Sequence, residues 1–132
     1  MRMISIAALA LALGLLTATS AASAASILGS WSGRGTVRLT EGQVEPVSCR
    51  VRYEKGDSAG KTIVFNAKCA AAGGTFLMYG RISKRGANSY RGTLFSEQST
   101  VAGKVDITMR GNSQTARVSS SRGTGSVTLR RR

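Results

Sequence analysis

From Trp31 onward the hydrophobic pattern of this chain has a period of two. Trp31, Gly33, Gly35, Val37 and Leu39 are apolar or small, while Ser32, Arg34, Thr36, Arg38 and Thr40 between them are polar. Such alternation marks a strand with one buried and one wet face. It returns in Val47, Cys49, Val51 and Tyr53, again in Ile63, Phe65, Ala67 and Cys69, and then in Phe76, Met78, Gly80 and Ile82. A weaker set, Tyr90, Gly92 and Leu94, precedes the longest, which runs from Val101 through Gly103, Val105 and Ile107 to Met109. Ala116 with Val118, and Val127 with Leu129, complete about eight predicted strands. Turn-forming residues separate the runs: Glu41-Gly42, Gly56 to Gly60, Gly73-Gly74, Arg85 to Asn88, Glu97-Gln98 and Gly111-Asn112. Pro46, the only proline, sits at the start of the second strand, where a missing donor does least harm.

The connections leave no room for crossover helices, so the topology predicted is an all-β antiparallel up-and-down meander. A flat sheet of eight strands would expose two edges, which favours closure into a small barrel. The first and last strands support this: Gly33 to Leu39 and Gly123 to Leu129 share the pattern G-x-G-x-V-x-L. Their glycines are expected to pair on the inner face of a tightly coiled seam. A membrane-spanning barrel is disfavoured, because seven aromatic residues cannot supply two interfacial girdles.

The N-terminus changes the picture of what folds. Met1-Arg2, an apolar run from Met3 to Ala18 and the small-x-small site Ala22-Ser23-Ala24 read as a signal peptide over 1–24. The run is shorter than the ~20 residues of a membrane span. One domain, 25–132, is expected beyond it, in the periplasm or secreted, with 18 Lys and Arg against 6 Asp and Glu. Histidine is absent and acids are few, which removes the side chains of most hydrolytic, metal and redox chemistry. We therefore expect no enzyme activity, no cofactor and no metal. Only a lysine, such as Lys61, Lys68 or Lys104, could serve as base for a serine nucleophile, and no phosphate-binding glycine loop is present.

Cys49 and Cys69 lie on consecutive strands, both inward and equidistant from a reversal near Ala59. A structural cross-strand disulfide is expected, and the oxidising compartment permits it. The arginines are the feature that asks for a partner. Arg34, Arg38, Arg50 and Arg52 occupy outward positions on the first two strands. With the turn centred on residues 42 to 44, every register opposes two of them, Arg34 to Arg50 or Arg52, or Arg38 to Arg50. Opposed like charges are destabilising. An anion would relieve them, with Arg130 to Arg132 joining the same face if the barrel closes. Lipid A, acidic polysaccharide or a host polyanion suits an exported protein. Nucleic acid is disfavoured, because only Tyr79 and Phe95 are expected as exposed aromatics for stacking.

Gly29-Ser30-Trp31 resembles the Gly-x-Trp opening of the calycin group, which includes lipocalins, avidins and bacterial metalloprotease inhibitors. The resemblance implies that Trp31 closes one barrel end beneath a basic residue of the last strand, matched here by Arg130. The inhibitor branch inserts an N-terminal trunk into its protease, for which only Ala25 to Leu28, about 13 Å when extended, are available. The chain also resembles small exported bacterial proteins without an assigned function. The leading expectation is a non-enzymatic barrel that binds an anionic envelope or extracellular component through its arginine face. The alternatives are a protease inhibitor and a calycin-like carrier of a small apolar ligand.

Overall fold

The alternation folds as its period requires. A computed structural model describes Gly14, residues 26–98 and residues 102–132. The expected signal peptide, apart from Gly14, lies outside the described residues, as do Ala25 and the predicted inward Val101. Eight strands are present among the described residues: β1 (Gly29–Leu39), β2 (Val44–Lys55), β3 (Thr62–Ala71), β4 (Gly74–Gly86), β5 (Ser89–Ser96), β6 (Ala102–Arg110), β7 (Ser113–Ser120) and β8 (Gly123–Arg131). Each pairs antiparallel with the next, and β8 pairs back onto β1 to close the barrel. The register is regular but for an irregularity between Lys84 and Gly86.

The inward set forms a single core. Val47, Cys49, Val51, Tyr53, Ile63, Phe65, Ile82, Val105, Ile107, Met109 and Leu129 are all buried. Cys49 and Cys69 are direct cross-strand partners and are joined as a disulfide, with Cα atoms 4.1 Å apart.

Two predicted registers differ from the structure. The β1–β2 turn is centred on Glu41, with Gly42 at φ 93° and its N–H donating to Leu39 O. That places Arg34 opposite Ser48, Arg50 opposite Ser32, Arg52 opposite Ser30 and Arg38 opposite Val44. The expected arginine–arginine pairs therefore do not form, because the positive φ available to Gly42 tightens the turn by a residue or more. At the closing seam the glycines do not meet each other. Gly33 faces Leu129, Gly35 faces Val127, Val37 faces Gly125 and Leu39 faces Gly123, so each strand's glycines receive the other's aliphatic side chains. The seam is reciprocal, and β1 and β8 approach closely enough that a Cβ on Gly33 or Gly35 would overlap the backbone of β8.

Candidate functional site

One end of the barrel is plugged and the other is hollow. At the plugged end Trp31 has no exposure at all, and its Nε1 donates to Ile27 O at 2.8 Å. Ile27 itself is 1 % exposed, so the chain before β1 lies across the barrel end. The cap over Trp31 is Arg131, whose guanidinium lies 4.4 Å from the ring centroid and donates to Leu28 O at 2.8 Å and to Ser26 O. This corrects the expected match to Arg130, which is exposed between Ser32 and Ser113. The parity of β8 decides it: Val127 and Leu129 point inward, and Arg131 follows them. Residues 26–28 are thus held by a tryptophan and an arginine, and do not project as a trunk.

Next to the plug, Tyr53 donates from its hydroxyl to Gln114 Oε1 at 2.7 Å, both groups being buried. Burial pushes the Tyr53 phenol well above its ordinary range, a shift tempered by the hydrogen bond to Gln114. Tyr90 is raised by burial as well. The amide Nε2 of Gln114 is buried with no hydrogen-bond partner among the described residues. Sequence reading missed Gln114 because it tracked only apolar positions; its place two residues before Ala116 was the available signal.

Away from the plug the interior opens into a cavity of about 370 Å³. Val37, Val47, Met78, Leu94, Val118 and Val127 wall it, with the Cys49–Cys69 disulfide on one side. Ser96, Ser120 and Arg122 stand at its mouth, and a smaller space of about 50 Å³ continues inward past Met78, Val105 and Leu129. The hollow arises from the sequence: Gly123 and Gly125 stand at inward positions of β8, and Ser96 and Ser120 end β5 and β7 where larger side chains would close the mouth. Both the size and the apolar walls with few polar groups are those of small-molecule sites.

The arginines gather on the outer surface. Arg50 and Arg130 flank Ser32 from opposite sides, and Arg34 is two residues farther along β1. Arg50 directly faces Lys68, an opposed like-charge pair that the sequence reading did not contain. Arg52 is engaged by Glu54 at 2.8 Å and donates to Ser30 Oγ at 3.1 Å, and Arg38 stands apart beside Thr124. A groove of about 280 Å³ runs between Arg50, Arg52, Lys68 and Arg132, with Leu77 and Glu97 at its far side.

No protein-family model matches the chain, and no curated protein matches its sequence. Solved structures match its fold. A de novo designed fluorescence-activating β-barrel has a TM-score of 0.61 at 21% identity, over 80% of this chain and 93% of that one. The redesigned β-barrel mFAP1, bound to DFHBI, has a TM-score of 0.65 at 16% identity, over 79% of this chain and 94% of that one. A further redesigned barrel has a TM-score of 0.64 at 13% identity, over 83% and 94%. At these identities the likeness shows the fold alone, a small closed eight-stranded antiparallel barrel. The disulfide is consistent with a location outside the cytoplasm.

Proposed function

We propose that this protein is an exported, non-enzymatic carrier that holds a small apolar ligand inside its barrel. The observation that supports the reading is the cavity: about 370 Å³, apolar on its walls, open at one end and sealed at the other by Trp31, Ile27 and Arg131. That space suits a ligand of roughly fifteen non-hydrogen atoms. At about 0.5 kcal/mol per atom, between the limits for very small and drug-sized ligands, the affinity falls in the micromolar range. Barrels of this fold can take small ligands, as mFAP1 does with DFHBI. The test is a fluorescence titration with phenylnaphthylamine, a neutral probe that brightens in apolar surroundings. Saturable one-to-one binding is expected, and Val118→Phe, which drives a ring into the cavity, should abolish it while leaving the barrel folded. Equal binding by both proteins would place the probe elsewhere and refute the carrier reading.

A second reading keeps the arginine face as a site for an anionic envelope or extracellular component. It is favoured by Arg50 standing directly opposite Lys68, with Arg130 across Ser32 and Arg34 beside it. Arg50→Gln with Arg130→Gln should weaken binding to a sulfated polysaccharide more than Lys61→Gln with Lys84→Gln does. Equal losses would reduce the effect to net charge.

A further inference from the structure

The outer surface carries one apolar patch that neither the plug nor the cavity explains. Leu77, Tyr79 and Phe95 are 39 %, 45 % and 42 % exposed, on adjacent strands β4 and β5. Tyr79 is the direct cross-strand partner of Phe95, their ring centroids 5.7 Å apart, and Leu77 lies on the same face two residues before Tyr79. Side chains so placed form a continuous strip rather than scattered surface residues.

The strip is framed by cations. Lys68 is directly opposite Leu77 and diagonal to Tyr79, Arg81 is the next outward residue on β4, and Lys104 is diagonal to Phe95 across the β5–β6 pair. Beyond Lys68 the charge continues into Arg50, Arg52 and Arg132. Opposing it nearby is Glu97 at the end of β5, while Glu54 is engaged by Arg52 and Asp106 by Arg91.

We propose that this face docks the barrel onto an anionic lipid bilayer. Aromatic rings and a leucine settle at the boundary of headgroups and acyl chains, and lysines and arginines around them meet lipid phosphates. A soluble polyanion would use the cations and leave the three apolar side chains in water. The bilayer uses both halves of the patch. The same two strands turn Phe76, Met78, Leu94 and Ser96 toward the cavity, so docking sets one wall of the cavity mouth against lipid. The proposal stands on the outer face and does not depend on the carrier reading.

The experiment is sedimentation of the folded protein with vesicles of phosphatidylcholine alone and of phosphatidylcholine with one third phosphatidylglycerol. Binding is expected on the anionic vesicles only, and to fall steeply with salt. Tyr79→Ser with Phe95→Ser should weaken it about tenfold or more, whereas Val44→Ser, at an exposed valine outside the patch at the start of β2, should not. Lys68→Gln with Lys104→Gln should weaken it by about fivefold per cation. Arg38→Gln with Arg117→Gln removes the same charge from β1 and β7, around a separate groove, and should change it far less. Circular dichroism and Trp31 emission confirm folding, and Leu77→Gln replaces the aromatic double variant if that one does not fold. Equal binding to both vesicles, or no loss in the aromatic variant, overturns the proposal. So does a dimer that dissociates in that variant without any effect on vesicles, which would make the patch a contact between two copies of this chain.

Discussion

At the seam that closes the barrel, two glycines in the same repeated pattern should respond in opposite ways to the same substitution. Gly35 faces Val127, and a Cβ on it would overlap Ser126 O and approach Val127 Cα to 2.6 Å. Both are backbone atoms that move only if β1 and β8 separate. Gly125, facing Val37, would place its Cβ no closer than 3.6 Å to Thr36 O and Val37 Cγ2, which is ordinary contact. Gly35→Ala should therefore cost about 2–3 kcal/mol, at the upper end for an overpacked core site, because the strain falls on ladder hydrogen bonds rather than on a side chain that can rotate. Gly125→Ala should be neutral or stabilise by about 0.4–1 kcal/mol, since it restricts the unfolded chain without straining the folded one. Urea unfolding followed by the emission of Trp31, the single tryptophan, measures both. With a slope of about 1–3 kcal/mol per molar urea, the two midpoints should differ by about 1 M or more. Coincident midpoints would refute the close approach of β1 and β8 from which the difference is worked.

Reduction of Cys49–Cys69, which closes a separation of 20 residues, should cost about 3 kcal/mol, and intact mass under non-reducing conditions should show no free thiol. Arg131→Gln should destabilise by about 2–3 kcal/mol and redshift Trp31 emission, because a stacked guanidinium and its bonds to Leu28 O and Ser26 O are lost together, whereas Arg130→Gln should leave both readings nearly unchanged. Tyr53 has a phenol raised from 10.0 by burial, so the folded state holds its proton where the unfolded chain releases it. Stability should then decline as pH rises above ~10, and Tyr53→Phe should flatten that decline when urea midpoints at about pH 8 and about pH 11 are compared.

The strands were legible because within each of them the inward residues recur at every second position, and a buried face tolerates no slip. Closure was legible in the repeated G-x-G-x-V-x-L, although not the way in which each glycine receives an aliphatic side chain from the facing strand. The disulfide followed from symmetry about Ala59. The arginine partners were not legible, since they depend on where one turn is centred, and Gly42 permits the tighter one. The Trp31 cap was missed by one residue: family resemblance pointed to Arg130, while the alternation through Val127 and Leu129 already pointed to Arg131. The cavity was the least legible feature, because an inward glycine or serine leaves volume only when no larger neighbour fills it. Tyr79 and Phe95 were expected on the surface and are there, but their pairing needed the β4–β5 register.

The most direct test of the carrier reading is methyl-detected NMR of the protein titrated with phenylnaphthylamine. The account predicts saturable shifts at the methyl groups of Val37, Met78, Leu94, Val118 and Val127, which wall the cavity. Val44 and Leu77, exposed on the outside, should stay in place. Shifts confined to Val44 or Leu77, with the cavity methyls unmoved, would contradict it.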